Sequence, residues 1–379
     1  MSVHHMATAA FIKRLRVKPG TEIMNSLLNL LHTGVHEQAT GEPSRDDAPS
    51  TSGRASPSLK LPLVLHRRMS TKSSPGREVY KSSNWVMRNL PARLVPYAQL
   101  MRLDKPIGTW LLALPCFWSI SLATVPGHLP DPVMMALFGT GAVLLRGAGC
   151  TINDLWDRDL DSRVERTRGR PLAAGTLTPH DAIGLLALQL SLGLLILLQL
   201  NDYSKILGAS SLLLVGTYPL MKRITYWPQA FLGLTINWGA MMGYAAAAGA
   251  CDWSIVLPLY GAGVAWTLVY DTIYAHQDKR DDVTAGVKST ALLFGDNSKT
   301  WFTGFGALMA GCLTTAGMAA GAGTPYYAGV GAMMAHMAWQ VWTVDLSNGP
   351  DCMAKFTSNK WAGGFLLVGI VLDRLLAAA

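Results

Sequence analysis

The amino-acid sequence predicts an all-α membrane protein, a bundle of nine transmembrane helices that follows a long N-terminal region. Three observations lead to this fold class. Half of the residues are hydrophobic and only 15% are charged, long apolar runs follow one another from Arg88 to the C-terminus, and Lys and Arg collect in alternate connections between those runs. Because average proteins carry about 25% charged residues, the composition is typical of a membrane protein.

The formal net charge of +8 is by itself compatible with binding to nucleic acid. The basic residues, however, lie mostly in the N-terminal region and in the connections, and no basic patch is interleaved with aromatic residues as in single-strand-binding proteins. We therefore expect no nucleic-acid partner. The five cysteines contain no CxxC spacing, so neither a disulfide framework nor a zinc site is predicted.

Residues 1–90 are predicted to be a mitochondrial transit peptide followed by a disordered linker. The first 21 residues contain four basic side chains and no acid, and they lack the continuous apolar segment of a secretory signal. Residues 40–83 are rich in Ser, Pro, Arg and Gly, a composition that buries too little apolar surface to fold. The membrane domain is therefore predicted to span residues 91–379.

Nine apolar runs approach the ~20 residues that an α-helix needs to cross about 30 Å of hydrocarbon. Buried helices of a soluble protein are the alternative interpretation, but so many long apolar runs in one chain argue against it. The predicted spans are 107–125, 133–152, 182–200, 205–221, 229–250, 254–273, 301–320, 324–344 and 361–376.

The placement of basic residues predicts the orientation of these spans, because Lys and Arg concentrate in loops on one side of a membrane. They occupy the segment before the first span and every second connection after it. The connections near 126–132, 250–253 and 321–323 contain neither Lys nor Arg, and 201–204 has only Lys205 at its edge. The N-terminus and the basic loops are thus expected on one side, and the C-terminus on the other. In a mitochondrial inner membrane we expect the basic side to face the matrix.

A cluster of acids directly follows the second predicted span. Asp154, Asp157 and Asp161 are spaced i, i+3 and i+7, so on a helix they share one face. Three such carboxylates repel one another unless a cation lies among them, and each costs roughly 3 kcal/mol at the centre of a membrane. The alternative is a solvated loop in which the acids pair with neighbouring arginines, among them Arg158 and Arg170.

A second acidic stretch ends the sixth predicted span. Asp271, Asp278 and Asp282 are spaced i, i+7 and i+11, which is again one helical face. The predicted orientation puts both stretches on the same side of the membrane. Mg²⁺ prefers oxygen ligands and is usually held by a few carboxylates together with substrate phosphates. The two stretches together therefore predict a shared magnesium and diphosphate site.

Basic residues near the acidic stretches are candidates for binding the diphosphate. Arg158 and Arg170 belong to the first stretch, Lys222 and Arg223 end the fourth span, and Lys288 follows the second stretch. Arginine binds phosphate oxygens through a planar fork of donors, and lysine acts as a point charge. Charge that only sets membrane topology is an equally good explanation for the two lysines and Arg223, and the sequence leaves both open.

Six motifs in this order identify a resemblance to a known family. They are RLDKPIGTWLL (Arg102 to Leu112), NDLWDRDLD (Asn153 to Asp161), RTRGRPLAAG (Arg166 to Gly175), YPLMKR (Tyr218 to Arg223), YDTIYAHQDKRDD (Tyr270 to Asp282) and VKSTALLFG (Val287 to Gly295). From about Leu94 onward the chain resembles the UbiA superfamily of intramembrane prenyltransferases. Within it, the motifs are most similar to the 4-hydroxybenzoate polyprenyltransferases of ubiquinone biosynthesis.

The resemblance implies helices around a central cavity, Mg²⁺ between the two acidic stretches, a polyprenyl diphosphate as donor and 4-hydroxybenzoate as acceptor. The implied metal ligands are Asp154, Asp157, Asp161, Asp278 and Asp282, and the implied catalytic residues are Asn153, Asp271 and Tyr274. Arg102 and Lys105 are candidates for the acceptor carboxylate, and Lys222 and Arg223 for the diphosphate. Asp271 is our hypothesis for the base that removes the ring proton.

Alternative functions remain at this point. Another enzyme of the superfamily would use a different aromatic acceptor, and an ion-coupled transporter would also place acids within the membrane. Two aspartate clusters beside arginine-rich loops favour the prenyltransferase. The bilayer is the expected environment, and association with other ubiquinone-biosynthesis proteins is a further expectation.

Overall fold

Regular structure is helical throughout the residues described by the computed structural model, which are 85–162, 167–279, 282–283 and 286–377. No strand occurs among them, which confirms the predicted all-α fold. In chain order the helices are α1 (Trp85–Asn89), α2 (Val95–Leu100), α3 (Ile107–Leu122), α4 (Pro132–Trp156), α5 (Arg158–Asp161), α6 (Pro179–Gln199), α7 (Asp202–Ile224), α8 (Pro228–Ile236), α9 (Gly239–Ala248), α10 (Trp253–Ala275), α11 (Thr290–Phe294), α12 (Ser298–Ala319), α13 (Thr324–Thr343) and α14 (Gly349–Leu376).

Every predicted span falls on helical structure, and four helical segments of the described chain are long and apolar enough to cross a bilayer. These segments are Pro132–Trp156, Pro179–Gln199, Trp253–Asp278 and Thr290–Ala319. The total of nine crossings stays a prediction. The domain boundary after residue 90 also stays a prediction, because the transit peptide and nearly all of its linker lie outside the described residues.

The fifth predicted span, 229–250, is not one continuous helix but is divided into α8 and α9 at Asn237. The Asn237 side chain donates to the Gly233 carbonyl at 2.8 Å and to the Thr267 hydroxyl of α10 at 2.9 Å. The backbone tightens here, since the amide of Ala240 donates to the Asn237 carbonyl only three residues earlier, at 2.8 Å. A side chain that competes for backbone groups explains the break.

Short polar side chains fix where several helices begin. Thr178 and Asp181 form a reciprocal capping box at the start of α6. Asn201 accepts a hydrogen bond from the Ser204 amide and donates to the Ala245 carbonyl at 2.7 Å, so one residue caps α7 and ties it to α9. Three further caps begin α4, α10 and α14, through Asp131, Asp252 and Asn348.

The core joins α3, α10 and α14 through buried tryptophans. The rings of Trp118 and Trp266 lie 5.3 Å apart, and both are at most 1% exposed. The indole of Trp118 donates to the Gly363 carbonyl at 2.9 Å, and that of Trp266 donates to Asn359 Oδ1 at 2.8 Å. Because each indole N–H has an acceptor, these large side chains are buried without an unsatisfied donor.

Helix α6 lies at the periphery of the bundle. Only Ala182 and Gln189 of this helix are buried, and its exposed leucines include Leu188, Leu194 and Leu195. An apolar surface of this extent is unusual for a water-soluble monomer and is what contact with lipid requires.

Two glycines allow α13 and α14 to approach each other closely. A Cβ atom at Gly329 would lie 2.8 Å from the Cα of Gly369, and a Cβ at Gly369 would lie 2.7 Å from the Cα of Gly329. Both obstacles are backbone atoms, so no side chain could move aside. Small residues at helix contacts within membranes serve this purpose.

We predict that Gly329→Leu destabilises the protein by about 1–3 kcal/mol, the usual cost of overpacking. Gly331→Leu on the same helix is the matched control, because a Cβ there meets no atom within 4 Å. Thermal unfolding in detergent should give a lower melting temperature for the first variant only. Equal melting temperatures for the two variants would contradict the close contact.

Candidate active site

The first acidic stretch lies where α4 ends and the short α5 begins. Asn153 and Asp154 belong to the last turn of α4, Asp157 lies between the two helices, and Asp161 ends α5. The amide of Asp161 donates to the Asp157 carbonyl at 2.8 Å, so the chain keeps a nearly helical path across the junction. The sequence spacing therefore does bring Asp154 and Asp161 onto a common side.

Asp154 is 1% exposed and is held by two arginines from elsewhere in the chain. Arg102 Nη2 donates to both carboxylate oxygens, at 2.8 Å each, and Arg170 Nη1 lies 3.2 Å from Oδ1. The same Nη1 atom lies 2.7 Å from Asp161 Oδ2. Two carboxylates thus converge on one positively charged atom, which compensates the repulsion between them.

The loop that supplies Arg102 has an unusual backbone. Arg102 has φ 58, which places a non-glycine residue in the left-handed region. Its Nη1 donates to the Gln99 carbonyl at 2.9 Å, so the guanidinium links its own loop to α4. In the same loop, burial raises the pKa of the Asp104 carboxyl, and the charges of Lys105 and Arg102 oppose that shift.

The second acidic stretch begins on α10 and continues into a 3-10 turn, His276–Asp278. Asp271 lies one turn before the end of α10 and interacts electrostatically with Asp278, Lys222 and Arg146. Asp278 and Asp282 are both half-buried. Asp271 and Asp278 therefore lie near each other where α10 ends, and the common face that includes Asp282 stays a prediction.

Lys222 connects the two acidic stretches. Its ammonium interacts electrostatically with Asp157 of the first stretch and with Asp271 and Asp282 of the second. The side chain is half-buried in the last turn of α7. Lys222 therefore interacts with carboxylates of both acidic stretches, and the shared site itself stays a prediction.

The donor set of the two acidic stretches suits a magnesium ion that is bound together with a phosphate ligand. In the described part of the chain, no group of three or more His, Cys, Asp or Glu side chains is close enough to hold a metal ion. Convergence of Asp154 and Asp161 on one cationic nitrogen nevertheless shows that this junction accommodates positive charge. Mg²⁺ commonly takes only one or two carboxylates and completes its coordination with water and phosphate.

Arg146 is a candidate functional residue that the sequence analysis missed. It lies within the second predicted span, two helical turns before Asp154, and interacts electrostatically with Asp271 and Tyr218. Its Nε atom is buried and has no hydrogen-bond partner among the described residues. A lone cation within an apolar run is itself a sign of function, and that sign was present in the sequence.

The space around Arg146 has an aromatic lining. Tyr218 interacts electrostatically with Tyr274, Asp271 and Arg146. The ring of Tyr274 packs against Phe356 of α14, with ring centroids 4.7 Å apart. We call the group formed by Arg146, Asp271, Tyr218 and Tyr274 the deeper chamber, because Asp271 and Tyr274 precede Asp278 along α10. A small polar aromatic molecule is the kind of ligand that such a chamber fits.

The other residues predicted to contact substrate are mostly more exposed. Arg158 is 47% exposed and pairs with the exposed Asp159 at 3.3 Å, an ion pair that contributes little to stability. Lys288 Nζ donates to the Ile224 carbonyl at 3.2 Å. Lys105 and Arg223 are exposed, and Asn153 is half-buried beside the junction. The roles assigned to these residues stay predictions.

The sequence of this chain is similar to sequences of known proteins. The sequence profile of the UbiA prenyltransferase family matches residues 112–366. The mitochondrial 4-hydroxybenzoate polyprenyltransferase of Arabidopsis thaliana is 62% identical over 296 residues, which are 78% of this chain and 73% of that protein. The Homo sapiens protein of the same name is 57% identical over 300 residues, or 79% of this chain and 81% of that protein.

Solved structures agree in fold. The apo structure of a UbiA homolog from Aeropyrum pernix K1 aligns with a TM-score of 0.60 and 24% identity, covering 70% of this chain and 97% of that one. The UbiA homolog from Archaeoglobus fulgidus bound to GPP and Mg²⁺ aligns with a TM-score of 0.52 and 15% identity, covering 72% and 99%. The profile match, the identities and the shared fold establish that this chain belongs to the UbiA prenyltransferase family.

Proposed function

We propose that this protein is a magnesium-dependent mitochondrial prenyltransferase that attaches a polyprenyl group to 4-hydroxybenzoate. The donor is a polyprenyl diphosphate, and the acceptor carbon lies ortho to the phenol hydroxyl and meta to the carboxylate. The names and high identity of the relatives support the acceptor. The single observation that carries the mechanism is the electrostatic interaction of Lys222 with carboxylates of both acidic stretches.

The diphosphate of the donor binds where the two acidic stretches meet. The carboxylates that would hold magnesium come from Asp157, Asp161, Asp278 and Asp282, and water and phosphate oxygens would complete the coordination. Magnesium, when bound, supplies positive charge that stabilises the leaving diphosphate. Lys222 and Arg170 supply fixed positive charge from the protein itself, and charge aimed at a leaving group is usually the largest catalytic contribution.

The acceptor binds in the deeper chamber. Arg146 has an unpaired Nε and lies near Asp271, so we assign it to the acceptor carboxylate in preference to Arg102. Arg102 was the expectation from the sequence, but its Nη2 is occupied by Asp154. Tyr218 and Tyr274 line the same chamber and would hold the aromatic ring in place.

The transfer breaks one bond and forms another. The allylic carbon–oxygen bond breaks and its electron pair leaves with the diphosphate, while the ring carbon attacks the allylic carbon to form a carbon–carbon bond. Asp271 then accepts the proton from the attacked ring carbon, which restores aromaticity. Protein walls around the chamber exclude water, which would otherwise capture the allylic cation.

The protein acts in the mitochondrial inner membrane, with the diphosphate site at the matrix side. The basic connections of the sequence support this orientation, and the relatives named above are mitochondrial. Association with other enzymes of ubiquinone synthesis is part of the same proposal. Protease protection of tagged loops in isolated mitochondria would test the orientation directly.

We predict prenylated 4-hydroxybenzoate when membranes that contain the protein receive 4-hydroxybenzoate, a polyprenyl diphosphate and Mg²⁺. EDTA should abolish the product, and Asp271→Asn should lower turnover by about 10²–10⁴-fold, as expected for loss of a general base. Near-normal turnover of that variant would reject Asp271 as the base. If only a different aromatic acceptor gives product, 4-hydroxybenzoate is not the substrate. If no acceptor gives product, the result favours the alternative that the protein is an ion-coupled transporter.

Lys222→Met should lower kcat/KM for the polyprenyl diphosphate by about 100-fold, because a charge that faces the leaving group is lost. Arg223→Met removes the neighbouring charge, which is exposed, and should cost at least about tenfold less than Lys222→Met. Steady-state kinetics with varied donor concentration distinguish the two variants. Equal losses in kcat/KM for the two variants would contradict the proposal that Lys222 faces the leaving group.

Gly108→Ala should raise the KM for 4-hydroxybenzoate with little effect on stability. A Cβ at Gly108 would lie within 3.0 Å of the guanidinium of Arg146, which can move aside because it is the end of a flexible side chain. Gly141→Ala on α4 meets no atom within 4 Å and is the control. An unchanged KM in Gly108→Ala would argue against Arg146 as the contact to the acceptor.

A further inference from the structure

We propose that Asp154 is a positioning residue, which holds Arg102 and Arg170 at the edge of the diphosphate site, and is not a ligand of magnesium. This inference rests on the proposed function. It also changes the role that the sequence assigned to the first aspartate of the NDLWDRDLD motif.

Asp154 is enclosed, and both of its carboxylate oxygens already accept from arginine. Both of its oxygens accept from Arg102 Nη2 at 2.8 Å, Oδ1 also lies 3.2 Å from Arg170 Nη1, and the residue is 1% exposed. Asp157 differs in each respect, since it is half-buried and its side chain makes no hydrogen bond to a described residue. Lys222 interacts electrostatically with Asp157. Within one motif, therefore, one carboxylate is enclosed and another is open.

Arg102 depends on this pairing for its conformation. Its φ of 58 is unfavourable for a residue with a side chain, and such a conformation persists only when the surroundings hold it. Here the guanidinium is held at two points, by Asp154 through Nη2 and by the Gln99 carbonyl through Nη1 at 2.9 Å. The Asp154 carboxylate thus fixes the loop between α2 and α3 against the end of α4.

Arg170 gains its orientation from the same carboxylate. Its Nη1 lies between Asp154 and Asp161, and the side chain is 25% exposed. Its Nε and Nη2 make no hydrogen bond to any residue of the described chain, so these donors are available to phosphate oxygens. A guanidinium that is fixed at one nitrogen presents the others in a defined direction. Asp154 therefore contributes to diphosphate binding through Arg170.

The two roles predict opposite effects for Arg102→Gln. If Asp154 positions the arginines, Asp154→Asn and Arg102→Gln both break one buried pair and leave a charge without its partner. If Asp154 binds the metal, Arg102→Gln removes a competing cation and should tighten metal binding, whereas Asp154→Asn should weaken it. The sign of the Arg102→Gln effect therefore distinguishes the roles.

The experiment measures Mn²⁺ binding by electron paramagnetic resonance in the presence of inorganic diphosphate, together with melting temperature, for purified full-length protein. We expect Asp154→Asn and Arg102→Gln to lower the melting temperature, and neither to tighten Mn²⁺ binding. The melting temperature of the double variant should be no lower than that of the less stable single variant. Asp157→Asn should weaken Mn²⁺ binding by about tenfold or more at an unchanged melting temperature.

Tighter Mn²⁺ binding in Arg102→Gln, combined with weaker binding in Asp154→Asn at an unchanged melting temperature, would overturn the proposal. Arg158→Gln controls for loss of an arginine charge and should leave the melting temperature unchanged, since its pair is exposed. If Asp154→Asn does not fold, the effects of Arg102→Gln and Arg102→Lys on Mn²⁺ affinity decide between the two roles of Asp154. Absence of Mn²⁺ binding in the wild type would count against the proposed function, and the stability cycle would still decide the role of Asp154.

Discussion

Charge compensation at the edge of the membrane is the constraint on which this structure depends. Asp154 is almost completely buried at the end of a long apolar helix, and it can remain there only because two arginines donate to it. These arginines come from positions 52 residues before and 16 residues after it. Their pairing joins the loop before α3, the end of α4 and the segment after α5 into one unit. An uncompensated charge in this place would cost several kcal/mol.

The charged residues of the proposed site form two groups at different depths in the bundle. At the end of α7, Lys222 interacts electrostatically with carboxylates of both acidic stretches, and the proposed ligand there is a diphosphate with a divalent cation. Deeper in the bundle, Arg146 and Asp271 lie among tyrosines, and this combination suits a small aromatic acid. The reacting carbon atoms would meet between the two groups. In the proposed mechanism, the allylic cation reacts with the acceptor ring away from the polar diphosphate site and from water.

Much of this arrangement could be predicted from the sequence because its determinants are local. Apolar runs of sufficient length fell on helices, and Asp154 and Asp161 share the contact with Arg170 that their spacing suggests, while the place of Asp157 on the same face stays a prediction. The break at Asn237 was missed because a hydrogen bond to Thr267 on α10 takes part in it. The pairing of Arg102 with Asp154 joins residues far apart in sequence, so no periodic pattern in the sequence predicts it. Arg146 was visible as a lone cation in an apolar run, but only its distant neighbours gave it a role.

The proposed mechanism requires that the two acidic stretches form one site. We would test this with a double-mutant cycle between Asp157 and Asp282, measured as the affinity for inorganic diphosphate in the presence of Mn²⁺. One shared site predicts that the double variant loses clearly less than the sum of the two single losses in binding free energy, because either change disrupts the same complex. Strictly additive losses, or a loss in only one of the two single variants, would contradict a shared site.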